Sequence, residues 1–102
     1  MISQDSADRL ASSRKTIDNL DSALLHILAE RFRCTEEIGH LKAEHTIQAK
    51  DSAREQRQMD RLRSIADDLG LNLEFVEKLM RLIVGTVVER HNEIAAEQYV
   101  PS

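Results

Sequence analysis

The sequence predicts an all-α protein of one long helix and two shorter ones. Three observations carry that prediction. Trp is absent and Pro occurs once in 102 residues, while Leu, Ala, Glu, Arg and Ile abound, the balance of a helical chain. Apolar residues between Ile17 and Leu41 recur at alternating steps of three and four, the a/d pattern of a helix seam. In the second half, Asp51 or Ser52 and then Asn72 stand where helix caps belong, with Gly70 between them as a stop.

The first helix is expected over about Ser13 to Ala43, behind a polar, flexible leader of residues 1–12. Its seam reads Ile17, Leu20, Leu24, Ile27, Cys34, Ile38 and Leu41, and position 31, which the pattern assigns to an apolar residue, holds arginine. Leu25, Leu28 and Phe32 widen the apolar face, so this helix is expected to bury more than one side. Cys34, the single cysteine, has no partner for an internal disulfide and reads as a small core residue in a reducing compartment.

The stretch "EHTIQAK" breaks the period and reads as a connection. A second helix follows, with Ser52 and Glu55 in capping-box spacing and an apolar face of Met59, Leu62, Ile65, Ala66 and Leu69. In the third, Val76, Leu79, Met80, Ile83, Val84, Val87 and His91 share one face, continued by Ile94 and Ala95. The helical domain is expected to span residues 13–98, with a short tail at 99–102.

Length suggests a homodimer. A helix of about 30 residues spans roughly 45 Å, whereas a compact domain of about 100 residues has a radius of gyration near 13 Å. Two shorter helices leave part of that apolar length bare, and a second copy of the chain would cover it. A break near Gly39 is the alternative.

Composition narrows the function. With 14 basic and 18 acidic residues the formal charge is −4, which disfavours nucleic acid as a partner. The polar N-terminus lacks the apolar core of a signal peptide. No run approaches the roughly 18 apolar residues of a membrane span, so no membrane partner and a cytoplasmic location are expected. His26, His40, His45 and His91 show no ligand spacing with one another or with Cys34, so neither a metal nor a cofactor is expected. No Ser-His-Asp arrangement, Gly-rich phosphate loop or aromatic platform is visible. Any chemistry falls to positioned cations and carboxylates.

Those charges stand in unusual places. Arg31 on the seam must be paired or meet a ligand, because a lone buried cation is very costly. Lys42 lies eleven residues on, on almost the same face and about 16 Å further along the axis. Together they suit a small anion with charges at separated ends; ion pairs to a neighbouring helix are the other reading. Arg14 is roughly 25 Å from Arg31 along the helix, so it reaches that pocket only across an antiparallel dimer, or else is an ordinary exposed arginine. Asp51, Arg54 and Glu55 line one face of the second helix, and Glu55 is in register with Met59 and Leu62, pointing inward. Such carboxylates orient arginines or accept a ligand hydroxyl; helix capping and surface ion pairs are the plainer alternative.

The segment "SRKTIDNLDSALLHILAERFRCTEEIGHLK", followed by "DSARE", resembles the all-helical chorismate mutases over about residues 13–92. The elements R-x-x-I-D-x-L-D, L-x-E-R, I-G-x-x-K and D-x-x-R-E occur in order, and their joint occurrence is specific. The resemblance implies intertwined dimers with active sites built from both subunits, and rearrangement of chorismate to prephenate, a pericyclic step needing no nucleophile or metal. It implies that Arg31 and Arg54 hold the substrate carboxylates, with Arg14 supplied by the other chain. Lys42 would meet the ether oxygen, and Asp51 and Glu55 the hydroxyl.

Two positions depart from the family pattern. The third helix of that family offers Ser and, four residues on, Gln; here those positions hold Val87 and His91. Valine makes no hydrogen bond, and His91 is either a donor to the ether oxygen or a helix-face histidine. The loss resembles the small stand-alone bacterial subclass, some of whose members are activated by docking on DAHP synthase. A non-catalytic helical dimerisation module is the alternative function, but it gives no reason for Arg31. A helix-turn-helix regulator is disfavoured by the net acidity.

Overall fold

The computed structural model describes residues 1–98, and the expected tail at 99–102 lies outside them. It contains α1 (Gln4–Glu44), α2 (Ser52–Leu69) and α3 (Leu73–Gln98), with no strand among the described residues. The chain is all-α, as expected. By packing it divides into two units, the first ending at Cys34 and the second starting at Thr35.

The first unit is the N-terminal part of α1. The helix starts at Gln4, not near Ser13, because local polar contacts suffice to start it. Ser3 Oγ accepts from the Ser6 amide at 3.1 Å, and Gln4 Nε2 donates to Asp8 at 2.9 Å. Asp5 lies in the first turn, where a carboxylate favours the helix dipole. Along this unit Ile17, Leu20, Leu24, Leu25 and Ile27 are each at least half exposed. Cys34 is exposed as well, not the core residue expected.

The second unit holds the core. The helix passes Gly39 without a break, and Gly39 is buried where α3 crosses it. A Cβ at Gly39 would lie 2.6 Å from His91 Cδ2 and 2.8 Å from Ile94 Cδ1, so only glycine admits this approach. His91 and Ile94 are themselves buried, as are Ala66 and Ile83.

The ends of the helices follow from their capping chemistry. α1 closes with Ile47 N–H on the Lys42 carbonyl at 2.7 Å and Thr46 N–H on Ala43 at 3.3 Å. Thr46 takes the left-handed position of this turn, with φ 55°, where glycine is usual. Asp51 caps α2 by accepting from the Arg54 amide at 3.1 Å. Gly70, at φ 69°, ends α2, and Leu71 N–H returns to the Ala66 carbonyl at 2.9 Å. Asn72 caps α3 through the Phe75 amide at 2.9 Å. Arg63 on α2 then bridges to Glu77 on α3 at 2.7 Å, beside the turn that joins them.

Candidate active site

In the first unit, Arg14 is exposed and Arg31 is half-buried. Arg31 Nη1 is fully buried and has no hydrogen-bond partner among the described residues. A guanidinium always carries its charge, and an orphaned buried donor is destabilising by roughly 1–3 kcal/mol. Its helix tolerates that cost at a position where leucine would continue the seam.

In the second unit, Lys42 and His91 line one cavity of about 800 Å³, walled by the connection from Thr46 to Lys50 and by Val88 of α3. Half-buried Lys42 donates from Nζ to the Ala49 carbonyl at 3.1 Å. An ammonium has three N–H donors, so this bond holds the group in place and leaves two for a ligand. Glu55 is half-buried and lines a second cavity of about 330 Å³ with Met59, Met80, Val84 and Val88. Asp51 is engaged as the α2 cap, and Arg54 is exposed one turn into that helix. Val87 is half-buried and lines neither cavity. The structure thus brings Lys42 and His91 to one cavity and Glu55 to its neighbour.

His91 is 4% exposed, and its Nε2 lies 2.7 Å from the Thr35 carbonyl. A carbonyl only accepts, so Nε2 carries the proton and donates. The other nitrogen, Nδ1, is buried without a partner among the described residues. In a neutral ring held this way Nδ1 is an acceptor, and it becomes a donor only when the ring is protonated. The ring is therefore a strut between α3 and α1, with one nitrogen unspent.

Sequence patterns missed the clamp beside this strut. Arg90 forks onto Glu36, with Nε 3.0 Å and Nη2 2.6 Å from Oε1. Its Nη1 reaches Glu93 at 3.2 Å, and His40 approaches Glu36 at 3.5 Å. Hydrogen bonds from Arg90 are the main cause that holds the Glu36 carboxyl below its ordinary value, against a smaller opposing desolvation. The hydrogen bond to Glu36 likewise raises the Arg90 guanidinium. Because the folded Glu36 value is depressed, its contribution is present above about pH 4.3, the unfolded glutamate value, and is lost as pH falls through the folded one. The raised Arg90 value bears only on strongly alkaline solutions. Glu36→Gln is therefore expected to reduce the loss of melting temperature between about pH 7 and pH 3 relative to wild type. An equal loss in both proteins would show that this pair does not link pH to folding.

Among the described residues, no group of three or more His, Cys, Asp or Glu is placed to hold a metal ion. No helix among them is long and apolar enough to cross a membrane.

Residues 13–92 match the family model described as chorismate mutase type II. The chain belongs to the chorismate mutase type II family. It is also similar to a chorismate mutase of Methanocaldococcus jannaschii, with 26% identity over 93 residues, covering 91% of this chain and 89% of that protein. The chorismate mutase match runs across Arg14, Arg31, Lys42, Asp51, Arg54, Glu55, Val87 and His91. Within it, the glycine of I-G-x-x-K is Gly39, whose bare Cα receives the His91 ring. Thr35, Glu36 and Arg90 also fall inside the match. No short motif flags them, because their partners are more than fifty residues away in the chain.

Proposed function

We propose that this chain is a chorismate mutase that isomerises chorismate to prephenate in aromatic amino-acid biosynthesis, working as a homodimer. One observation supports it above the others: Arg31, on an apolar seam inside the matched region, buries a guanidinium nitrogen with no partner among the described residues. A dicarboxylate substrate supplies what that nitrogen lacks.

In this reading Arg31 and Arg54 grip the two carboxylates, because a planar fork binds a carboxylate bidentately. Arg14 comes from the other chain. Lys42 donates its free N–H groups to the ether oxygen, while Asp51 and Glu55 accept from the substrate hydroxyl. The reaction is unimolecular: a C–C bond forms within the substrate as the C–O bond breaks, so no atom passes to or from the protein. Holding the compact reactive conformer lowers the barrier, and preorganised cations stabilise the charge that develops as the C–O bond breaks.

The uncovered seam of Ile17, Leu20, Leu24 and Ile27 supports the dimer, since a contiguous apolar stripe of this length calls for a partner surface. Val87 adds no hydrogen bond, and His91 Nε2 is already given to Thr35. The ether oxygen then relies on Lys42, so turnover by the isolated protein is modest, and the resemblance to the small stand-alone bacterial subclass supports a DAHP synthase partner that raises it. A cytoplasmic location fits the same pathway.

The test is the rate of prephenate formation from chorismate by the purified protein, alone and with the cognate DAHP synthase. Turnover that the synthase increases supports the whole proposal. High turnover that the synthase leaves unchanged removes the partner. No turnover under either condition leaves a non-catalytic dimerisation module as the better account.

A further inference from the structure

Lys50 stands where the two cavities of the second unit adjoin. It lines the smaller one with Glu55 and the larger one with Lys42 and His91, and it shares both with Val88 and Asn92. Its backbone is held on either side: Ala49 before it accepts from Lys42 Nζ, and Asp51 after it caps α2. Its side chain is exposed and forms no ion pair or hydrogen bond among the described residues. The positioned-cation chemistry assigned above makes no use of it.

Its charge nevertheless falls in a telling place. The chain carries −4 overall, which opposes the approach of a dianion. In the smaller cavity Lys50 and Arg81 are balanced by Glu55 and Glu89. In the larger one Lys42 and Lys50 face a single carboxylate, Glu44. Lys50 is thus what makes the Lys42 cavity a basic spot on an acidic protein.

We propose that Lys50 is a recruiting cation, which draws the dianionic substrate into the Lys42 cavity without touching the reacting atoms. The proposal rests on the chorismate mutase reading. A charge acting at a distance attracts bound substrate and transition state alike, so it lowers KM and leaves kcat alone. Being exposed, it is screened by salt.

The experiment compares wild type, Lys50→Gln and Lys50→Arg with chorismate at about 10 mM and about 1 M ionic strength, where the Debye length falls from ~30 Å to ~3 Å. At low salt Lys50→Gln is expected to raise KM about fivefold, as one unit charge acting on a dianion through water allows. Its kcat should stay within about twofold of wild type. At high salt the KM difference should vanish, and Lys50→Arg should match wild type at both. An unchanged KM at low salt overturns the proposal, as does a fall in kcat that persists in high salt. Those results leave the mutase reading standing. A wild type that does not turn over chorismate removes that reading and this proposal with it.

Discussion

Arg31→Leu is expected to lower kcat/KM for chorismate by about a thousandfold while raising the melting temperature by about 5 °C. The two effects have separate origins. Truncating one side of a buried charge-to-charge contact costs roughly 2–5 kcal/mol, and a loss of about 4 kcal/mol is about a thousandfold in rate. Stability moves the other way because Nη1 is buried with no partner among the described residues. Removing that group relieves roughly 1 kcal/mol or more of desolvation, and about 1 kcal/mol corresponds to roughly 4–8 °C in a chain of this size. Thermal melts and steady-state kinetics on the same preparation separate the readings. A gain in stability with unchanged turnover would make Arg31 an idle seam residue. A fall in melting temperature would mean that the guanidinium is paired in the folded protein.

Gly39→Ala carries the largest expected loss of stability. On an exposed helix, Gly to Ala gains about 1 kcal/mol. Here the new methyl would meet the His91 ring at 2.6 Å and the Ile94 side chain at 2.8 Å. Both neighbours are buried, and His91 is tied to Thr35, so neither yields easily. Overpacking of this kind costs roughly 1–3 kcal/mol, occasionally more, and it exceeds the helical gain. A net destabilisation of about 1 kcal/mol is expected in urea unfolding, with a further loss of turnover if the strut moves Lys42. A variant as stable as wild type would mean that α3 does not approach α1 this closely.

Much of the architecture was legible because it is encoded locally. Asp51, Gly70 and Asn72 each mark a helix end through a contact with residues three or four away, and each does so in the structure. The early start of α1 escaped periodicity because Ser3, Gln4 and Asp8 stabilise a helix without an apolar stripe. Thr46 escaped because its left-handed turn is conventionally a glycine position.

The candidate site divides along the same line. Arg31 was conspicuous as a charge out of pattern, and Glu55 as a carboxylate in register with Met59 and Leu62. By contrast, the Glu36–Arg90 clamp and the His91–Thr35 strut join residues far apart in sequence. Only the crossing of α3 over the end of α1 creates them. Gly39 shows the limit well: in the sequence it marked a possible break, and in the structure it is a notch inside an unbroken helix.

Complementation decides whether the cation on the seam serves a site completed by a second chain. Arg14→Ala and Arg31→Ala chains, each inactive alone, would be co-expressed with different tags and the mixed dimer isolated. One of its two sites then keeps Arg31 from one chain and Arg14 from the other, and the second site lacks both. About half of wild-type chorismate turnover per dimer is expected, with a wild-type KM. A mixed dimer as inactive as its parents would contradict a shared site.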